Sequence, residues 1–178
     1  MTDIPTKVNL GSGNQNHEEF FAVDIVETDS VDRIQDLDSK DWDLPKNHFS
    51  IVKAIDVFEH LDNPVQFMEN LHEICVDGAE VVIRSPHFSS MNWHDPTHKR
   101  MVGSRTFDNF THKGRFQYYS DVQYRLKDFE ITFEWSPFPG YRKIGYWIAN
   151  NYTDIYEKSF LKNLFPAPNI EFKLEVLS

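Results

Sequence analysis

The stretch "KVNLGSGNQNHEEFFAVDI", residues 7–25, decides the fold. Val8 to Leu10 is a short apolar strand, Gly11-Ser12-Gly13 a turn, and Phe21 to Ile25 a second strand that contains an acid, Asp24. A βαβ unit that holds a nucleotide-like ligand begins in this way, because glycines without a Cβ allow a tight turn and close approach by the ligand. Its first helix normally fills the space between glycines and acid. Here there is almost no room for one.

Working outward, Val31 to Ile34 is expected to form a third strand ending near Asp36-Leu37. "SIVKAI" then gives a fourth, Ile51 to Ile55, whose near-continuous apolar character is broken only by Lys53 and suits a buried central strand of a parallel sheet. Asn63-Pro64-Val65-Gln66 supplies an N-cap, a proline at the first helical position and a Gln three residues after the cap. The helix it starts would bury a stripe of Val65, Met68, His72 and Cys75 with Leu71 beside it, and stop before Gly78. Val81 to Arg84 is the fifth strand, ended by Pro86.

Strands alternating with a helix predict an open α/β sheet, mainly parallel and joined by right-handed crossovers. The later chain differs. Residues 87–125 are polar, aromatic and irregular apart from a short helix expected from Ser104 to Phe110, and they read as an insertion covering an active site or substrate. "DFEITFEW" and "NIEFKLEVL" alternate strictly, which predicts an antiparallel pair at the C-terminal edge, with a helix from Tyr152 to Leu164 between them. One domain spans residues 1–178, since 178 residues build one sizeable core.

Composition narrows the function. The net charge of −10 disfavours duplex nucleic acid as partner, because phosphate contacts require many Lys and Arg. Lys99, Arg100, Arg105, Lys113 and Arg115 nevertheless form a local basic run against Asp108 alone. It suits either an anionic substrate group or a solvated loop. No apolar run reaches the length of a membrane helix, the first residues lack the pattern of a signal peptide, and the single Cys75 excludes an internal disulfide. A cytoplasmic location and no membrane partner are the expectations. A monomer and a homodimer are both compatible with the many aromatics.

The ligand of the glycine turn is constrained by what is absent. A dinucleotide fingerprint reads G-x-G-x-x-G, with the acid about 20 residues on. Here His17 stands near the third glycine, Asp24 comes thirteen residues after Gly11, and Glu18-Glu19 would repel a diphosphate. A cofactor with a ribose and no phosphate fits better. At this point the sequence resembles the class I S-adenosylmethionine-dependent methyltransferases, in "VNLGSGN", "FAVDI", "IQDLDS", "SIVKAIDVFEHLDNP" and "GAEVVIRSPH". It looks closest to compact members whose first helix is reduced. Ser12 replaces a commoner cysteine, and the N-terminal helix that often covers the cofactor has no counterpart.

The resemblance implies a Rossmann-like methyltransferase sheet and S-adenosyl-L-methionine as cofactor. Gly11 and Gly13 would pass beneath its methionine part, Asp24 hold its ribose, Asp36 and Leu37 flank its adenine, and Ile55 with Asp56 lie near its amino or sulfonium region. Glu59-His60 matches an "EH" pair frequent in the subgroup, although His60 equally suits a cap or packing role. The implied activity is methyl transfer to a small-molecule or glycan-like acceptor. The alternative is a lapsed, methyltransferase-like scaffold or accessory subunit.

"SPHFSSMNWHDPTHKR" carries the most unusual chemistry. Neutral histidine can take a proton from an attacking hydroxyl or amine, and a neighbouring carboxylate can set its tautomer. His94 and His98 are the candidate catalytic bases, with His87, Asp95 and Arg100 as substrate-binding candidates and Arg100 a clamp for a carboxylate or phosphate. Some related enzymes carry a similar "DPTH" segment. Two other readings stand beside this one. Asp95-Pro96-Thr97 suits a plain turn with His98 structural, and His94, Asp95 and His98 have atoms suited to Zn, Fe or Mn, although no helix fixes their spacing and no metal is assigned. "RFQYYSDVQYRL", Trp135 and Phe138 suit either an acceptor pocket or core closure.

Overall fold

The computed structural model describes residues 4–14, 18–111, 120–133 and 139–178. Seven strands form one sheet: β1 Lys7–Leu10, β2 Phe21–Asp24, β3 Arg33–Ile34, β4 Phe49–Ile55, β5 Cys75–Pro86, β6 Gln123–Thr132 and β7 Asn169–Leu177. Their order is β3-β2-β1-β4-β5-β7-β6. The first five are parallel, and β7 and β6 join antiparallel. Among the described residues the α-helices are α1 Pro64–Ile74, α2 Pro139–Asn151, α3 Thr153–Lys158 and α4 Leu161–Leu164. The expected α/β architecture with an antiparallel C-terminal edge is therefore present. No described helix is long and apolar enough to cross a membrane.

Register explains where the core sits. One row across the sheet runs Val23, Leu10, Ala54, Ile83, Phe172 and Phe129, and the next Phe21, Val8, Val52, Val81, Leu174 and Leu126. Both rows point to the same face, because side chains two apart in a strand share it. Against that face pack Phe67, Met68, Leu71 and Ile74 of α1, Trp42 and Leu44 of the β3–β4 connection, and Phe107 and Tyr156. Burying each large side chain of this kind contributes about 1.5–3 kcal/mol.

The opposite face is charged. It presents Lys7, Lys53, Glu80, Arg84, Glu171, Lys173 and Glu175, which are partly or fully exposed. Lys53 is thus a correction to the reading of β4 as buried on both sides. The strand alternates, and its second face meets solvent, because the connections that would carry helices over it are too short. Phe20 gives this face a local cover, with the Lys53 ammonium 4.5 Å and the Lys7 ammonium 5.8 Å from its ring centroid. Each such contact contributes about 0.5–1 kcal/mol where exposed.

Helix α1 starts where its cap was read. The Asn63 side chain accepts the Gln66 N–H at 3.2 Å, with Pro64 at the first helical position. The inward row, however, is Phe67, Met68, Leu71 and Ile74, while Val65 and His72 lie at its margin. Nor does Gly78 end the helix. The chain passes directly into β5 at Cys75, and Gly78, at φ +75°, absorbs a register shift in which Phe49 pairs with Cys75 and Ile51 already with Glu80. β3 is shorter than expected. Ser104 to Phe110 yields turns and one 3₁₀ turn at Asp108–Phe110.

The helix expected over Tyr152 to Leu164 is divided into α3 and α4, and α2 precedes it unannounced by the sequence. Long-range contacts hold α2 in place. A Cβ on Gly145 would come within 2.8 Å of the Phe133 ring, so only glycine lets the helix approach. Asn150 accepts the Ile131 N–H at 2.9 Å and donates to the Ile131 carbonyl at 2.8 Å, pairing backbone groups of one residue on the edge strand β6. Replacing the Asn63 cap by Ala is expected to cost about 1 kcal/mol. A lower urea midpoint with an unchanged denaturant slope would report it.

Candidate functional site at the carboxyl ends of β1, β2 and β4

The glycine turn is built by backbone geometry. Gly11 and Gly13 have φ of +69° and +55°, values that L side chains rarely adopt. The N–H groups of Gly11 and Ser12 both donate to the Val23 carbonyl, at 2.8 and 3.0 Å, and so fasten the turn to the end of β2. Asp24 completes the arrangement: one carboxylate oxygen accepts the Gly13 N–H at 2.7 Å and the other the Val26 N–H at 2.9 Å. A carboxylate has about four lone-pair positions, so two backbone bonds leave capacity for a diol.

Space around the turn is asymmetric. A Cβ on Gly13 would meet nothing within 4 Å, whereas one on Gly11 would lie 2.3 Å from Val57 Cγ2. The buried Ser12 hydroxyl has no partner among the described residues. Open space at Gly13 and an acid beside it fit the ribose part of a phosphate-free nucleoside cofactor.

Asp56 ends β4 at φ +56°, a strained conformation for a residue with a side chain. Its N–H donates to the Arg84 carbonyl at 2.9 Å, and its carboxylate pairs with the Arg84 guanidinium at 2.7 Å. Ile55 is half-buried beside it. Asp36 is exposed and accepts the Asp38 N–H at 2.9 Å, while Leu37 is packed into the core. Beyond Asp56, the 3₁₀ turn Phe58–His60 brings Glu59 and His60 against the loop after β5. Glu59 is 1% exposed, and burial pushes its carboxyl above the ordinary range despite the Ser85 hydroxyl donating to it at 2.8 Å.

The chain is similar in fold to proteins of known structure. A methyltransferase from Mesorhizobium loti described as S-adenosylmethionine-dependent superposes with a TM-score of 0.58 at 14% identity, over 95% of this chain and 89% of that one. A SAM-dependent methyltransferase from Archaeoglobus fulgidus gives 0.56 at 18% identity, over 97% and 86%. The fold is that of the class I S-adenosylmethionine-dependent methyltransferases. The [4+2]-cyclase SpnF shares it too, with a TM-score of 0.58 at 10% identity over 99% of this chain and 76% of that one. No family model and no curated protein matches the sequence.

Within this methyltransferase fold the residues singled out in the 87–100 segment separate. His94 is exposed at the end of a 3₁₀ turn, Met91–His94. His98 lies inward, its ring 4.8 Å from that of His60 and 5.9 Å from that of Trp93. Asp95 is exposed and bonds the Thr97 N–H at 2.8 Å and the Thr97 hydroxyl at 2.5 Å, which holds its carboxyl below the usual range. The Arg100 guanidinium turns inward to the carbonyls of Leu61 and Asp62, so in this conformation it anchors the loop.

His87, expected at the substrate rim, is fully buried. Its Nε2 meets Glu157 at 3.2 Å and its Nδ1 accepts the Ser89 N–H at 3.2 Å, tying α3 to the end of β5. Burial raises the Glu157 carboxyl, but hydrogen bonds from His87 and Ser104 outweigh it and leave the group below its ordinary value. His17, Lys113, Arg115, Trp135 and Phe138 lie outside the described residues. From the aromatic segment Tyr124 is a core residue, its hydroxyl donating to the Met68 carbonyl at 2.6 Å.

Cavities lie both near the site and far from it. One of about 240 Å³ is bounded by Phe58, Val65, Arg100, Met101 and Phe110. A larger one, about 730 Å³, lies between Glu130, Glu171 and α2 at the far edge of the sheet, strands away from the glycine turn. Gly11→Ala is expected to destabilise the protein by roughly 2 kcal/mol or more, through both positive φ and the Val57 contact. Adding Val57→Ala should relieve the steric part and not the backbone part, which a double-mutant denaturation cycle would read.

Proposed function

We propose that the chain is a methyltransferase that uses S-adenosyl-L-methionine to methylate a small-molecule or glycan-like acceptor. The observation that carries this reading is the 2.7 Å contact between the Asp24 carboxylate and the Gly13 N–H, which joins the glycine turn to the acid. Geometry of this kind supports a nucleoside with a free diol over a diphosphate. When bound, the cofactor supplies an electrophilic methyl group that an oxygen, nitrogen or carbon of the acceptor attacks.

Asp24 receives the ribose hydroxyls on the lone pairs not used by Gly13 and Val26. Asp36 and Leu37 flank the adenine, and Ile55 and Asp56 border the amino and sulfonium end. The exposed His94 imidazole, in the loop that follows β5, takes the acceptor's proton. His98 and Asp95 hold that loop in register, and methyl transfer then depends mainly on alignment. The negative net charge favours a small or glycan acceptor over a nucleic-acid backbone.

A calorimetric titration with S-adenosylmethionine and its demethylated product comes first, then an acceptor screen with methyl-labelled cofactor. Saturable binding is expected, weakened by Asp24→Ala. His94→Ala should preserve the affinity for the product nucleoside and lower transfer by roughly 10²–10⁴. Absence of any binding up to millimolar cofactor would overturn the reading, and parental transfer by His94→Ala would remove that residue as base.

A further inference from the structure

Glu59, His60 and His98 converge, with one potential ligand atom from each within 4.8 Å of the other two. Each side chain is anchored through one atom and open at another. Glu59 accepts the Ser85 hydroxyl on Oε2 at 2.8 Å, while its buried Oε1 has no partner among the described residues. His98, with a side chain 8% exposed, faces Asp95 from Nε2 at 3.8 Å, and its buried Nδ1 is likewise unpartnered. His60 directs Nδ1 to the Thr97 carbonyl at 3.2 Å and lies 3.0 Å from the Thr97 hydroxyl, which leaves the lone pair on Nε2.

The buried Glu59 Oε1 and His98 Nδ1, both without a partner among the described residues, lie beside the half-buried His60 imidazole, an arrangement with room in its chemistry for an electropositive group. We propose that Glu59, His60 and His98 form a binding site for a divalent first-row transition ion, with Zn²⁺ as its best-fitting representative. Two imidazoles and one carboxylate are a donor set such ions take, and three protein ligands leave a position open for water or a substrate oxygen or nitrogen. The outer contacts have the form that ligating groups need: Thr97 orients His60, Asp95 faces the far nitrogen of His98, and Ser85 holds the second oxygen of Glu59.

Tetrahedral ligand atoms at ordinary zinc distances stand about 3.4 Å apart, so the three side chains must draw together by roughly 1 Å. His60 and His98 lie at a turn and a loop, where rotation is available. Neither His94 nor Asp95 belongs to the ligand set. His94 is exposed, and Asp95 is already bonded to Thr97.

The test needs neither cofactor nor acceptor and so stands apart from the methyl-transfer reading. The chelator-treated full chain is titrated calorimetrically with ZnCl₂, with MgCl₂ in parallel, and with CoCl₂ while the visible spectrum is recorded. One equivalent of Zn²⁺ should bind with Kd on the order of micromolar or tighter, without competition from Mg²⁺, and Co²⁺ should give the d–d band of a four- or five-coordinate site. His60→Ala, His98→Asn and Glu59→Gln should each weaken Zn²⁺ by at least about 10-fold. Circular dichroism of each variant verifies folding, and the partly exposed His60 keeps the test open if a buried variant fails. Absence of stoichiometric binding, or binding unchanged in His60→Ala and lost in His94→Ala, would overturn the proposal.

Discussion

Ten residues separate Leu10 from Phe21, and that short connection is the constraint on which the rest of the structure depends. Parallel neighbours normally need a crossover long enough for a helix. Here the chain turns at once, with Gly11 and Ser12 donating to the Val23 carbonyl and Gly13 to Asp24. The same bonds therefore close the connection and assemble the candidate cofactor cradle. Positive φ at both glycines follows from the tightness of the turn, and Val57 fills the position a Gly11 side chain would take.

The shortness of that connection also determines the character of the sheet. A mainly parallel sheet usually buries both faces. This one buries the face carrying Leu10, Ala54, Ile83 and Phe172, and leaves Lys53, Arg84, Glu171 and Lys173 on the other. Opposite charges and the Phe20 ring make the second face compatible with water. The helical weight shifts to α1 on the covered side and to α2 at the β6 edge, where Asn150 occupies backbone groups that would otherwise invite pairing with another strand.

Features legible in the sequence were those governed by neighbours in sequence. The Asn63 cap, the alternation of β6 and β7, and the glycine turn followed by Asp24 all depend on residues a few positions apart. The α2 helix was not legible, because it rests on Phe133 meeting Gly145 and on Asn150 meeting Ile131. The burial of His87 was not legible for the same reason. Its role is set by Glu157, seventy residues on. In the histidine-rich loop the residue types were visible, but the pairing of His98 with Glu59 and His60 depended on how the loop folds back over the end of β4. An acid and a histidine directly after a central strand were the available signal, and only burial of Glu59 distinguishes them from a cap.

In the proposed function the cofactor occupies the cradle between the glycine turn, Asp24 and the end of β4. The most direct measurement is a ¹H–¹⁵N correlation spectrum of the labelled chain titrated with S-adenosylhomocysteine. The account predicts the largest saturable shifts at the amides of Gly11, Ser12, Gly13, Asp24, Leu37 and Asp56, with those of β6 and α2 little moved. Shifts confined to Glu130, Tyr146, Trp147 and Glu171, around the 730 Å³ cavity, would contradict it.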